Sequence, residues 1–194
     1  MYRLYLGKIS ALRAQALPPA IAAAAPSGVR RDAWLAGRAL LCRACSPLPE
    51  IVYGEQGKPA FAPPATKWFN LSHSGDDIAL LISDEGEVGC DIECIRPRPG
   101  ARQLAANLFS PGELAELDAV PPARQLAAFW RIWTRKEALL KQRGGSVWQL
   151  ADADSSQPGA LFISHCRRDT FSLAVCTPTP LNILDIISET GEKV

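Results

Sequence analysis

Val88-Gly-Cys-Asp-Ile-Glu-Cys94 alternates apolar and acidic residues over the length of a short strand. With a side-chain period of two, Asp91 and Glu93 share one face, while Val88, Cys90, Ile92 and Cys94 share the other. Two carboxylates side by side repel, so the arrangement is costly unless a cation lies between them or water screens them. Oxygen ligands on so short a span suit Mg²⁺, which takes one or two carboxylates and keeps waters in the rest of its shell. Taken alone, the pair also fits an edge strand with a solvated acidic face.

Outward from this stretch, both flanks mix strands and helices. Upstream, residues 2 to 9 alternate as a strand, and a helix is predicted from Arg30 to Cys45 with Arg31 and Arg38 on roughly one side. Short strands follow at Ile51–Tyr53, Trp68–Leu71 and Ile78–Ile82. Downstream, Arg96-Pro-Arg-Pro-Gly100 breaks regularity and reads as a linker. A long helix is then predicted from about Arg124 to Gln142, stopped by Gly144-Gly145, with closing strands at Ala160–Ser164 and Phe171–Cys176. This divides the chain into an N-terminal α+β half, 1–98, and a C-terminal α+β half, 99–194, with a candidate flexible tail near 181–194. Asn70-Leu-Ser-His73 is echoed by Phe162-Ile-Ser-His165, 92 residues on. A true duplication would give two related halves meeting at a cleft, where ligand sites are common.

Composition narrows the function. With 194 residues, 47% of them hydrophobic, the chain can bury a core without disulfide or metal staples. A net charge of +1 lacks the footprint of a general nucleic-acid binder. Six cysteines with only two histidines read as reduced, small apolar residues of a cytoplasmic protein. The start is interrupted by Arg3, Lys8 and Arg13, unlike a secretory signal, and the Ala22–Ala25 run is too short to span a membrane.

Three further segments carry chemistry. In Trp133-Thr-Arg-Lys-Glu-Ala-Leu-Leu-Lys141, Glu137 and Lys141 stand one helical turn apart beside an apolar stripe of Phe129, Ile132, Trp133 and Leu140. Their spacing equally suits a surface ion pair. In Tyr53-Gly-Glu-Gln-Gly-Lys-Pro-Ala-Phe61, Gly57 frees the backbone and Pro59 fixes it, presenting Lys58 as a point charge for phosphate. In Asn70-Leu-Ser-His-Ser-Gly75, a strand runs into a hydroxyl-rich turn, where Ser72 and His73 suit anion binding. A Ser-His-Asp hydrolase is disfavoured, because the Gly-x-Ser-x-Gly elbow is missing and Ser72 adjoins His73.

In order, Gly57-Lys58-Pro59, Asn70-Leu-Ser-His-Ser74, Gly89-Cys-Asp-Ile-Glu93 and Trp133-Thr-Arg-Lys-Glu-Ala-Leu-Leu-Lys141 resemble the Sfp-type 4′-phosphopantetheinyl transferase family, closest to its enterobacterial holo-acyl-carrier-protein synthases. The resemblance implies an α+β fold, a monomeric pseudo-dimer of two similar halves with coenzyme A in the cleft between them. It implies transfer of the phosphopantetheine arm to a serine of an apo acyl carrier protein or carrier domain. It also implies Mg²⁺, or Mn²⁺ in its place, on Asp91, Glu93 and Glu137, with Lys141 neutralising the pyrophosphate and Glu137 a candidate base. His73, with Arg31 or Arg38, would meet the 3′-phosphate, Gly57, Lys58 and Pro59 would border the adenine, and Ser72 the phosphates. Some relatives carry a lysine pair in the N-terminal region, where this chain has only arginines. Arg96, Arg98, Arg102, Arg131 and Arg135 are candidates for docking the carrier. A Mg²⁺-dependent phosphohydrolase with the same carboxylates and a silent carrier-binding relative are the rival readings.

Overall fold

A computed structural model describes residues 1–168 and 170–189. The chain runs β1 (Tyr2–Lys8), α1 (Ile9–Leu12), α2 (Pro19–Ala23), α3 (Arg31–Ala44), β2 (Ile51–Tyr53), β3 (Pro59–Phe61), β4 (Trp68–Ser74), β5 (Asp77–Ser83) and β6 (Gly89–Cys94). It continues through α4 (Ala101–Leu108), α5 (Pro111–Asp118), α6 (Pro122–Arg143), a 3-10 turn, β7 (Phe162–Arg168), β8 (Phe171–Thr177), a second 3-10 turn and β9 (Ile187–Glu189). The fold is α+β, as expected.

The strands form two main sheets, β4-β5-β1-β9 and β6-β8-β7, with β2-β3 as a separate hairpin. Apart from β9 and the β2-β3 hairpin, the two main sheets are made the same way. A first strand is followed by helices, then by a hairpin of two seven-residue strands, and the hairpin's second strand pairs antiparallel with the first strand. Matching the hairpins strand for strand puts Leu71, not His73, at the position of His165. The topology is duplicated, but the two histidines are not equivalents. Tyr5 and Gly7 occupy the positions of Asp91 and Glu93, so the acidic pair belongs to one repeat alone.

Strand pairing differs from the expected 98/99 division. Gly89–Cys94 hydrogen-bonds to β8 and is the first strand of the second sheet, so the changeover falls between β5 and β6. β9 returns to the first sheet, parallel to β1. Within the expected flexible tail, 181–194, Ile187–Glu189 pair with β1. Residues 190–194 lie outside the described residues.

The sheets pack face to face with helices outside. Ile78, Leu80 and Ile82 of β5 pack with α3 on one side, while Ala79 and Leu81 meet Cys90, Ile92, Leu173 and Val175 of the second sheet on the other. Burial on both faces explains the uninterrupted Ile78–Ile82 run. Beyond the second sheet, Ala138 and Leu139 of α6 pack on Ala174 and Cys176 of β8. The helix starts with Pro122 at its first turn and ends on Gly144 at φ 68°, a left-handed cap that glycine adopts without strain.

Candidate active site at the seam between the sheets

Gly89 sets how closely α6 approaches β6. A Cβ there would lie 2.0 Å from the Ala138 carbonyl oxygen and 2.5 Å from the Gln142 nitrogen. Only glycine allows that backbone contact, which brings Glu137 and Lys141 over the acidic face of β6.

Asp91 is buried, with 4% of its surface exposed. Its Oδ1 accepts hydrogen bonds from Lys141 Nζ at 2.6 Å and from Ser72 Oγ at 2.9 Å. Its Oδ2 is buried with no hydrogen-bond partner among the described residues. Ser72 Oγ also accepts from Lys141 Nζ at 2.9 Å and from the Ile92 N–H at 3.2 Å. Glu93 accepts from Ser74 Oγ at 2.6 Å. Burial opposes the Lys141 ammonium, but Asp91, with help from Cys90 and Glu137, more than offsets it and lifts the lysine above its ordinary value. The Glu137 carboxyl is pushed up to about 6, first by burial and then by Asp91, with Lys141 pulling back and Glu93 adding.

The three expected metal ligands are thus coupled through charge but not gathered into a closed cage. Among the described residues, no three His, Cys, Asp or Glu side chains stand close enough to hold a metal ion. Lys141 occupies one oxygen of Asp91 instead. The donor set nonetheless fits a hard divalent cation, because a buried carboxylate oxygen is left without a partner beside two further carboxylates, a costly arrangement that a cation relieves.

A groove leads to this point. One cavity of about 460 Å³ is lined by Arg38, His73, Trp34 and Tyr53, with Gly57, Pro59 and Leu71. A second, of about 200 Å³, shares Gly57, Pro59 and Leu71 and is lined further by Lys58 and Lys141. Arg38 is held by Tyr53 Oη at 3.0 Å and by the Trp34 ring at 4.6 Å. His73 is kept below its ordinary pKa, by burial first and then by Lys141, so its ring is neutral at pH 7. Lys58 pairs with Glu87 and donates to the Gln142 carbonyl at 3.0 Å, pinning the Gly57–Pro59 turn to the end of α6.

The remaining expected residues fall in different places. Arg31 is exposed, bonds the Pro26 carbonyl and does not line the cavity, whereas the neighbouring Arg30 does. Ser72 and His73 leave β4 on opposite faces, Ser72 toward Asp91 and His73 toward the groove, in keeping with their separate expected roles. Of the docking arginines, Arg131 and Arg135 pair with Glu116 and Arg102 with Asp118. Arg98 stacks over Trp133 at 5.0 Å, and Arg96 is exposed. Trp34 and Tyr53 were missed as groove residues, although an aromatic beside an arginine on a helix is a readable signal. The Glu113–Lys136 pair was missed as well. Both side chains are fully buried and joined at 2.8 Å, with Glu113 also accepting from the N–H groups of Ser110 and Ser155.

Comparison with known proteins agrees with this geometry. A family model described as the 4′-phosphopantetheinyl transferase superfamily matches residues 87–178, which span the second repeat from just before β6 to just after β8. The 4′-phosphopantetheinyl transferase AcpT of Salmonella typhi is 67% identical over 183 residues, covering 94% of this chain and 95% of that protein. The protein of the same name from Escherichia coli (strain K12) is 64% identical, covering 94% of each. A 4′-phosphopantetheinyl transferase of Bacillus subtilis is 38% identical over 90 residues, covering 46% of this chain and 39% of the relative. Identity at this level over nearly the full length, joined to the repeated topology, places the chain in the 4′-phosphopantetheinyl transferase family.

Proposed function

We propose that the protein transfers the 4′-phosphopantetheine moiety of coenzyme A to a serine hydroxyl of an apo acyl carrier protein or carrier domain, in a Mg²⁺-dependent reaction releasing adenosine 3′,5′-bisphosphate. The observation that carries this reading is the groove with cationic groups at both ends, Arg38 beside His73 at one and Lys58 with Lys141 at the other. A ligand with a phosphate near one end and a pyrophosphate further along would bring an anionic group to each cationic end. Arg38 would clamp the 3′-phosphate with a guanidinium already oriented by Tyr53 and Trp34, and neutral His73 would donate a hydrogen bond to it. Gly57 and Pro59 would border the adenine.

Asp91, Glu93 and Glu137 would hold Mg²⁺, or Mn²⁺ in its place. When bound, the ion supplies charge neutralisation at the pyrophosphate. Lys141 would offer its ammonium to the phosphoryl oxygens, where charge grows during transfer. Glu137, or a water that it orients, would take the serine proton. The serine oxygen forms the new bond to phosphorus, the bridging P–O bond breaks, and the bisphosphate leaves with that electron pair.

This reading takes the enzyme as a cytoplasmic monomer. All six cysteines are free, no described helix is long and apolar enough to cross a membrane, and the near-neutral charge argues against nucleic acid. The carrier would dock near the exposed Arg96 and Arg98, beside the acidic end of β6. Incubation with coenzyme A, Mg²⁺ and an apo carrier should add about 340 Da to the carrier, read by mass spectrometry, as expected for phosphoryl transfer. An unchanged carrier beside steady cleavage of coenzyme A would favour the hydrolase reading.

A further inference from the structure

β6 is paired along one edge with β8, and its other edge is closed by side chains of β4 rather than by a backbone ladder. Asn70 Oδ1 accepts from the Cys90 N–H at 2.8 Å, Ser72 Oγ from the Ile92 N–H at 3.2 Å, and Ser74 Oγ from the Cys94 N–H at 3.1 Å. All three β4 residues are buried. The two hydroxyls also donate. The Ser72 hydroxyl donates a hydrogen bond to Asp91 and the Ser74 hydroxyl donates one to Glu93, at 2.9 Å and 2.6 Å. Each serine therefore takes the N–H of one β6 residue and holds the carboxylate of the residue before it. The same device is built twice, one strand repeat apart.

We infer that Ser72 and Ser74 are a matched pair of positioning residues, and that Ser74 sets the rotamer of Glu93 for binding a divalent cation. The inference rests on the reading of Asp91, Glu93 and Glu137 as the cation's ligands. Ser72 is shared with Lys141, so Ser74 is the cleaner member to test. A hydrogen bond to one carboxylate oxygen turns the other away from β4 and fixes where a cation meets it. Such outer contacts commonly govern metal affinity by about 10- to 100-fold.

Ser74→Val and Ser74→Thr have nearly the same shape, but only threonine keeps the hydroxyl. Free Mn²⁺ is titrated against each protein without coenzyme A and followed by electron paramagnetic resonance, and thermal unfolding is measured in EDTA. The valine variant should bind Mn²⁺ about 10-fold more weakly, with threonine within about twofold of the parent. Unchanged Mn²⁺ affinity in the valine variant, even with a lower unfolding temperature, would reduce Ser74 to a structural residue and overturn the inference. Should the valine variant not fold, Ser74→Ala gives the same decision. Asp91→Asn separates the two layers of the argument. If it leaves Mn²⁺ binding intact, the ligand reading falls and the inference falls with it. If it removes binding while Ser74→Val does not, the inference alone is wrong.

Discussion

Replacing Glu137 by glutamine is expected to stabilise the metal-free protein while removing transfer. In the fold the carboxyl sits at about 6 against an ordinary 4.5, raised first by burial and then by Asp91. That gap, at about 1.4 kcal/mol per pH unit, corresponds to about 2 kcal/mol. The sign follows from proton counting. Below pH 4.5 the group is protonated in both states and contributes no difference. Between 4.5 and 6 the unfolded chain ionises first, the folded state holds more protons, and stability falls as pH rises. Above about 6 the full cost is present. Glutamine cannot ionise, so the variant should match the parent at pH 4 and exceed it by up to about 2 kcal/mol at pH 7.5, which is about 4–8 °C in Tm for a chain of this size. Urea and thermal unfolding across this pH range, with EDTA present, measure the difference. A variant less stable than the parent at pH 7.5, or a difference that does not change with pH, would refute the charge coupling described at the seam.

Three more outcomes follow from particular contacts. Gly89→Ala forces a Cβ into the α6 backbone and should cost about 3 kcal/mol or more in urea unfolding, with loss of activity, since neither backbone can move aside cheaply. Lys136→Met leaves the Glu113 carboxylate buried beside an apolar neighbour and should cost about 3–5 kcal/mol, although Lys136 lies one residue from Glu137 and does not touch the groove. Arg38→Met removes the guanidinium from the groove and should raise the KM for coenzyme A by about 10-fold or more with a smaller change in kcat, because a charge-assisted hydrogen bond contributes about 1.5–3 kcal/mol.

Much of the candidate site's geometry was readable because it follows simple periods. Strand alternation placed Asp91 and Glu93 together, and the four-residue helical step placed Glu137 beside Lys141, both as found. The same alternation, applied to β4, would have separated Ser72 from His73, since neighbours on a strand point to opposite faces. A glycine inside a strand pattern also signals a close backbone approach, as Gly89 makes to α6. Other features depend on long-range pairing that no local pattern reveals. β6 pairs with β8 across a run of helices, which is why a boundary drawn at the Arg96–Gly100 linker misplaced it. β3 is three residues starting at a proline, too short for a period, and exists through its pairing with β2. Lys136 reads as one more charge in a basic helix, and only the fold around Glu113 explains its burial.

If the carboxylates at the seam, with Lys141, carry phosphopantetheine transfer, neutralising the buried one should stop it. Asp91→Asn keeps the shape of the buried side chain and removes its charge, and the mass of an apo carrier incubated with coenzyme A and Mg²⁺ tests it most directly. The carrier should gain about 340 Da with the parent protein and nothing with the variant over many parent turnovers, the variant remaining folded by circular dichroism. Full conversion of the carrier by Asp91→Asn at the parent's rate would contradict it.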